Sequence, residues 1–216
     1  MDTKLITKTE AFLKDTFAAS AYLQANPVEL AYRLEHSYRV ANIAKNIAEA
    51  EDFDVTQAVI AGLLHDIAYC EEMLTREDRR NHGRRSAAIA RPFLKTLGLA
   101  DETINEICYG IAIHVDDEAD FQWNRTPFSE TVGDADNIDR FDAYRIYETL
   151  EYLKYSEMRL EEKRQTVYST IDRLTQYREM KLGTATAKKL WIQRLDYYIS
   201  FYEKLKAQLE HSVSII

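Results

Sequence analysis

Histidine is the residue type whose positions most clearly suggest chemistry in this sequence. Five histidines occur among 216 residues, and four of them fall in segments with helical periodicity: His36, His65, His82 and His114. Asp66 follows His65 directly. Imidazole and carboxylate groups are costly to bury together unless they pair or bind a metal ion, and both are ligands for Zn, Fe, Mn and Ni. One such histidine is usually a hydrogen-bonded core residue, but four on apolar helix faces indicate a metal centre.

The order of these residues resembles the HD-domain superfamily of metal-dependent phosphohydrolases, once Asp136 in the segment GDADNIDRFD is added as the last member. The resemblance covers about residues 26–150 and is closest to small stand-alone bacterial members of the two-metal branch. It implies an enzyme that hydrolyses a phosphate ester by means of a hydroxide that bridges two metal ions. The implied substrate is a small phosphorylated molecule, such as a nucleotide or a related compound.

The resemblance also implies a role for individual residues. It assigns the first metal ion to four ligands: His36, His65, Asp66 and Asp136. The second ion is assigned to His82 and His114, with Asp66 as the bridging and catalytic carboxylate. Both ions would be divalent, and the ligand types do not distinguish Fe, Mn, Zn, Ni or Mg. Arg85, one turn after His82, is predicted to neutralise charge that develops on the phosphate, with a solvated surface arginine as the alternative.

Two positions depart from the usual pattern of the superfamily. Tyr69 stands where many relatives carry Lys or Glu, and Asn137 stands where a basic residue is usual. These departures leave two other functions open. One is a di-iron oxygenase built on the same six ligands, which Tyr69 favours because a tyrosine could shape a gated oxygen site. The other is a non-catalytic module that binds metal or a nucleotide.

Helices must position these residues, because the chain has too few turn-forming residues for a β protein. It contains six glycines and three prolines, whereas β proteins need many tight turns. Apolar periodicity predicts five helices before the C-terminal part, over residues 27–51, 55–73, 82–98, 102–115 and 130–155. Polar segments predict loops over residues 74–81 and 116–129. Two long amphipathic helices follow, and the protein is therefore expected to be all-α.

The resemblance makes this fold an orthogonal helical bundle of the HD-domain type, with a C-terminal pair of long helices. Three parts are expected: an N-terminal helical segment over residues 1–25, the metal-binding core over 26–150, and a helical extension over 151–216 that packs on the core. The extension carries an apolar stripe with heptad-like spacing, formed by Trp191, Leu195, Tyr198, Tyr202, Leu205 and Leu209. This stripe is expected to dock on its own bundle, with the seam of a homodimer as the alternative.

Two further patterns near the candidate ligands lead to expectations about packing. Gly62, Gly110 and Gly133 each lie about one turn before a candidate ligand. Because glycine costs about 1 kcal/mol relative to alanine inside a helix, these glycines suggest space cleared for something between helices. Close helix packing is an equal alternative. Three aspartates on the segment that carries Asp136 are expected on its solvated face: Asp134, Asp139 and Asp142.

Composition and charge exclude several classes of function. Lys and Arg total 28 against 36 Asp and Glu, a net charge of −8, so a polymeric nucleic-acid partner is not expected. The longest run without a charged residue covers residues 16–28, well short of the roughly 20 that span a bilayer. The N-terminus lacks the apolar core of a secretory signal. Cys70 and Cys108 fit no disulfide or metal pattern, so a cytoplasmic protein with reduced thiols and no membrane partner is expected.

Overall fold

The structure, a computed structural model, describes residues 1–215. Ile216, the last residue of the predicted extension, lies outside the described residues. The described chain contains α-helices and short 3-10 turns and no strand, in agreement with the all-α prediction. Its contacts divide it into two compact units. Unit 1 consists of residues 1–139 and 183–187, and unit 2 of residues 140–182 and those from 188 onward.

Ten α-helices occur among residues 1–215. The seven that lie in unit 1 are α1 (Thr3–Ala19), α2 (Ala21–Ala25), α3 (Pro27–Ala50), α4 (Val55–Leu64), α5 (Arg76–Thr96), α6 (Asp101–Ile113) and α7 (Pro127–Asp139). Those that follow along the chain are α8 (Ala143–Tyr152), α9 (Leu160–Gln176) and α10 (Ala185–Glu210). None of the described helices is long and apolar enough to cross a membrane.

Helix α4 is the centre of unit 1. Residues 58–64 are all buried, and the helix contacts α1, α3, α6 and α7. Burial on every side explains why this stretch of sequence has no polar face. The start of the helix is fixed by Asp54, whose side chain accepts a hydrogen bond from the backbone N–H of Gln57 at 2.9 Å. Because the helix is buried, the two residues that follow its last residue, His65 and Asp66, also lie in the interior.

The chain on either side of the central helix departs from the sequence prediction at two points. The helix predicted to continue through residue 73 ends at Leu64, and a 3-10 turn over Ile67–Cys70 follows. The charged segment predicted as a loop forms the first turns of α5, because Thr75 and Asp78 make a reciprocal capping box. This start signal was missed in the sequence because the charged residues that follow Thr75 lack the apolar periodicity that predicts a helix.

The helix predicted over residues 130–155 is two helices. Helix α7 ends at Asp139, and α8 begins at Ala143 after a short break that falls at the boundary between the two units. Asp142 caps α8, because its side chain accepts a hydrogen bond from the N–H of Ala143 at 2.7 Å. This aspartate was expected on a solvated helix face, and it instead lies, half exposed, at a helix start.

The glycines near the candidate ligands are places of close helix packing, so the expectation of cleared space is wrong. A Cβ on Gly62 would lie 2.7 Å from the backbone of α3, and a Cβ on Gly110 would lie 3.1 Å from the carbonyl oxygen of Ser129 on α7. A Cβ on Gly133 would contact the Cα of His114 at 3.4 Å. At Gly62 and Gly110 the absent side chain lets the two backbones approach one another, whereas the contact at Gly133 would be an ordinary one.

The apolar stripe of α10 is buried within unit 2. Trp191, Leu195 and Tyr202 are fully buried. The indole ring of Trp191 packs edge-on against Phe141, with ring centroids 4.4 Å apart, and its N–H donates to the carbonyl oxygen of Tyr177 at 2.9 Å. Most of the stripe therefore belongs to the interior of this unit, and Leu205 is half-buried.

Candidate metal centre

The six predicted ligands converge at one place in unit 1. Three of them lie within helices, namely His36 in α3, His82 in α5 and Asp136 in α7. The other three follow the last residues of α4 and α6, namely His65, Asp66 and His114. All six side chains are buried. Residues that are 100 positions apart in the sequence are thus brought together by the packing of α3, α4, α6 and α7.

Asp66 is the centre of the cluster. Its Oδ1 lies 3.0 Å from Nε2 of His82 and 3.6 Å from Nε2 of His114. Its Oδ2 lies 3.6 Å from Nε2 of His36 and 3.7 Å from Nε2 of His65. Each carboxylate oxygen therefore faces one pair of imidazoles, so that two groups of candidate ligands share a single residue.

The imidazoles are oriented as metal ligands. Nδ1 of His65, His82 and His114 lies 2.8, 2.6 and 2.6 Å from the backbone carbonyl oxygen three residues earlier. Nδ1 must donate in each of these contacts, so Nε2 carries a lone pair whenever the imidazole is neutral. Nε2 of His82 lies 3.1 Å from Nε2 of His114, and two lone pairs at that distance repel each other unless a cation or a proton lies between them. This donor set therefore fits a divalent cation.

His36 is held by two aspartates of α7. Its Nε2 lies 3.2 Å from Oδ1 of Asp136, a candidate ligand, and its Nδ1 lies 2.8 Å from Oδ2 of Asp139. Asp139 also pairs with Arg39, whose Nε lies 2.9 Å from Oδ1. A carboxylate at the far nitrogen fixes the orientation of a ligand imidazole and makes it more basic. Asp139 and Arg39 therefore support the cluster from outside, a function that the sequence did not reveal.

The protonation of the cluster follows from its burial and its charges. Burial lowers the pKa of His65 to about 4, so this imidazole is neutral. Burial acts in the same direction on His36, but hydrogen bonds with Asp136 and Asp139 outweigh it and raise its pKa to about 9. Burial favours the neutral form of Asp66, yet the surrounding imidazoles hold the pKa of this carboxyl well below its usual value. A cation bound at His36 near pH 7 must therefore displace a proton.

Two of the three aspartates expected on the solvated face of α7 are buried, so that expectation is wrong for them. Asp139 contacts His36, and Asp134 accepts a hydrogen bond from the backbone N–H of Gly183 at 2.9 Å. Burial raises the pKa of Asp134 to about 7. The physical reason is that α3, α4 and α6 all pack on α7, and the segment 183–187 covers a further part of it. These contacts are distant in sequence, so the charge pattern alone did not reveal them.

Arg33 is a cation beside the cluster that sequence reasoning missed. Its Nη1 lies 3.1 Å from Oδ2 of Asp66, and its Nε donates to Oε1 of Glu29 at 2.8 Å. The guanidinium carbon lies 3.3 Å from the ring centroid of Tyr69, and that ring is in turn 5.0 Å from the ring of His82. A signal was present in the sequence, because Arg33 lies three residues before His36 on the same helix.

The structure does not bring Arg85 into the cluster. Its guanidinium is half exposed and pairs with Glu71, with Nε 2.9 Å from Oε2. Arg84 is also held elsewhere, by Asp116 at 3.1 Å and Glu118 at 2.9 Å. The turn after His82 thus offers two arginines that already have carboxylate partners, whereas the guanidinium in contact with Asp66 comes from α3.

Comparison with known proteins gives a family and a fold. Residues 33–144 match the family model described as HD domain. The chain is similar to the crystal structure of a predicted HD superfamily hydrolase from an uncultured Thermotogales bacterium, with a TM-score of 0.63 and 22% identity over 92% of this chain and 91% of that one. It is also similar to Bacillus subtilis YpgQ in complex with ADP, with a TM-score of 0.63 and 20% identity over 95% of both chains. No curated protein sequence matches.

Proposed function

Because the chain belongs to the HD domain family, we propose that it is a metal-dependent phosphohydrolase that cleaves a phosphate ester. One observation carries the proposal: two pairs of imidazoles face the two oxygens of one buried carboxylate, Asp66. Such a carboxylate is suited to bridge two cations, and paired metal sites are common among phosphatases and nucleases.

The proposed ligand sets follow the two sides of Asp66. One divalent ion would be held by His36, His65, Asp66 and Asp136, and a second by His82, His114 and the same Asp66. Cations held there supply a Lewis acid for a phosphoryl oxygen and lower the pKa of water, so that hydroxide is available at neutral pH. The two-ion stoichiometry is part of the proposal.

The chain itself supplies orientation, charge and exclusion of water. Backbone carbonyl oxygens hold Nδ1 of three imidazoles, and Asp139 holds that of His36, so that every Nε2 is directed inward before any ion arrives. The side chains of the cluster are nearly inaccessible to solvent, which strengthens the electrostatic interactions within it. Phosphoryl transfer depends mostly on such positioning and charge.

The proposed substrate is a small phosphorylated molecule of the nucleotide class. YpgQ, which is similar in fold, was crystallised in complex with ADP. The aromatic ring of Tyr32 stacks on that of His36, with centroids 5.8 Å apart, and Tyr69 lies against His82. Planar aromatic side chains next to a cationic guanidinium suit a ligand that combines a base with phosphate.

The test is elemental analysis of protein purified without chelator, followed by a panel of phosphate esters and nucleotides assayed with the metal found. We expect about two divalent ions per chain and release of phosphate. Asp66→Ala should lose metal and activity together, whereas Tyr69→Phe should change the rate but keep the metal. Loss of metal from Tyr69→Phe contradicts the proposed ligand set.

The same experiment separates the two other functions. A mixed-valent iron pair with consumption of O₂ and no release of phosphate identifies a di-iron oxygenase. Tight nucleotide binding without turnover, under several metals, identifies a non-catalytic module. Either result refutes the proposed hydrolysis.

A further inference from the structure

Arg33 is a cation next to the proposed metal centre, and the proposed ligand set assigns it no role. Its side chain is 16% exposed, and Nη1 contacts the same oxygen of Asp66 that faces His36 and His65. It therefore lies beside the first group of ligands and still reaches solvent. Burial of a cation is costly unless it is paired, so an arginine without a function here would be expected at the solvated surface.

The guanidinium is held in a defined plane. Glu29 accepts from Nε at 2.8 Å, Asp66 accepts from Nη1 at 3.1 Å, and the ring of Tyr69 covers one face at 3.3 Å. Nη2 has no hydrogen-bond partner within the described part of the chain. Both N–H groups of Nη2 are therefore available to a ligand, on a fork whose geometry matches that of phosphate.

We propose that Arg33 binds the phosphate group that the metal centre hydrolyses, through the N–H groups of Nη2. Glu29 and Tyr69 are positioning residues, because they hold the plane of the guanidinium and do not contact the phosphate. The inference rests on the proposed function and assigns the phosphate-binding cation within it. It also gives a role to Tyr69, which departs from the usual pattern of the superfamily: its ring positions the guanidinium of Arg33.

The charge of the site supports this assignment. The chain carries a net charge of −8, and Asp66, Asp136 and Asp139 are all buried at the cluster. A phosphate approaching these carboxylates needs local positive charge. Arg33 supplies a cation in direct contact with Asp66, whereas Arg85 pairs with Glu71, which is not one of the candidate ligands.

The experiment measures the binding of inorganic phosphate to protein loaded with its native metal, by titration calorimetry. Arg33→Met should weaken phosphate binding by about 10-fold or more, since charge-assisted hydrogen bonds are lost. Arg33→Lys keeps the charge but not the fork and should lie between this variant and the wild type. Metal content should be unchanged in both. Lys45→Met is the matched control, because Lys45 lies on the same helix and pairs with Glu49 at 2.8 Å.

The positioning of the guanidinium has its own test. Tyr69→Phe keeps the ring face and should therefore retain more of the phosphate affinity than Tyr69→Leu does. Tyr69→Leu removes that face and should weaken phosphate binding, though less than Arg33→Met. Equal effects of Phe and Leu would overturn the positioning role of the ring.

Two outcomes separate the failure of this inference from that of the proposed function. If Arg33→Met binds phosphate as tightly as the wild type and changes only the metal content, Arg33 is a counter-charge for Asp66 and the inference is wrong. If phosphate binding depends on Arg33 but no phosphate ester is hydrolysed, the inference stands and the proposed hydrolysis fails.

Discussion

Asp139 contacts the candidate metal centre through one residue, His36. It lies 2.8 Å from Nδ1 of His36 and is itself held by Arg39 at 2.9 Å. The imidazole therefore has one orientation, with Nε2 toward Asp66 and Asp136. Carboxylates in this position tune the basicity of the ligand nitrogen, so Asp139 should control how tightly the first group holds a cation.

Asp139→Asn tests this control. Asn keeps the size of the side chain but loses the charge shared by His36 and Arg39, so the affinity for divalent metal should fall by about 10- to 100-fold. Competition with a chelator of known affinity measures the change. The control is Asp172→Asn, because Asp172 is an exposed residue of α9. This variant should bind metal as the wild type does. Equal affinities for the two variants would show that Asp139 does not support the ligand.

The candidate ligands could be found in the sequence because their types and order are unusual. Four histidines on helix faces and the pair His65-Asp66 are visible without knowledge of any contact. Arg33 and Asp139 are not distinguished in this way, because charged residues on helices are common. Their importance arises from contacts across 33 and 103 positions of the chain.

At the scale of the elements, the approach of α3 to α4 sets the position of two candidate ligands, His36 and His65. Gly62 lies one turn before His65, and a Cβ there would lie 2.7 Å from the Cα of Ala41. Ala41 is five residues after His36 on α3. The distance between these two backbones therefore fixes how closely the two imidazoles meet.

Gly62→Ala should lower the free energy of unfolding by about 1–3 kcal/mol, because the backbones must separate to admit the methyl group. The midpoint of urea unfolding, measured with metal removed by a chelator, reports the change. Gly133→Ala is the matched control, because its Cβ would make an ordinary contact of 3.4 Å with the Cα of His114. It should be neutral or more stable by up to about 1 kcal/mol, since alanine favours the helix. A neutral Gly62→Ala would contradict the close approach.

Helix positions were predictable where apolar periodicity and local start signals agreed. Helix α3 occupies Pro27–Ala50, as the proline at its first position and its apolar spacing indicate. Periodicity failed for the start of α5, where the residues are charged and only Thr75 and Asp78 mark the beginning. It also failed after Asp139, because the apolar pattern continues across the break before α8.

At the scale of the whole molecule, the all-α fold of the HD type is confirmed, and the chain returns to unit 1 after 43 residues in unit 2. The returning segment, 183–187, is held by two carboxylates. Asp134 accepts from the N–H of Gly183 at 2.9 Å, and Glu51 accepts from the N–H of Thr186 at 2.8 Å. This return could not be predicted, because no local pattern marks it.

The hydrogen bond between Glu51 and Thr186 makes the stability of the fold depend on pH. Hydrogen bonds with Thr186 and Thr184 lower the pKa of Glu51, so the ionised carboxylate stabilises the fold above the pKa of the unfolded chain. This contribution is lost as the pH falls through the lower pKa of the folded state. The wild type should therefore be more stable than Glu51→Gln at pH 7, and the difference should shrink as the pH falls below about 4.

Urea unfolding of both proteins between pH 3 and 8 measures this dependence. Glu72→Gln, at an exposed position after the 3-10 turn, is the control and should follow the wild type over the whole range. A difference between wild type and Glu51→Gln that stays constant with pH would mean that ionisation of this carboxyl is not what holds Thr186.

The ends of α4 and α6 meet at the same point, since His65 and His114 directly follow them. The peptide dipoles of a helix add along its axis, and its C-terminal end carries a partial negative charge of roughly half an electron. Two such ends are directed at one buried cluster, within a chain whose net charge is −8. The field therefore attracts cations and repels anions. For the proposed function this orders the binding events: divalent ions would have to bind first, because phosphate would gain affinity only once those ions had reversed the sign of the local potential.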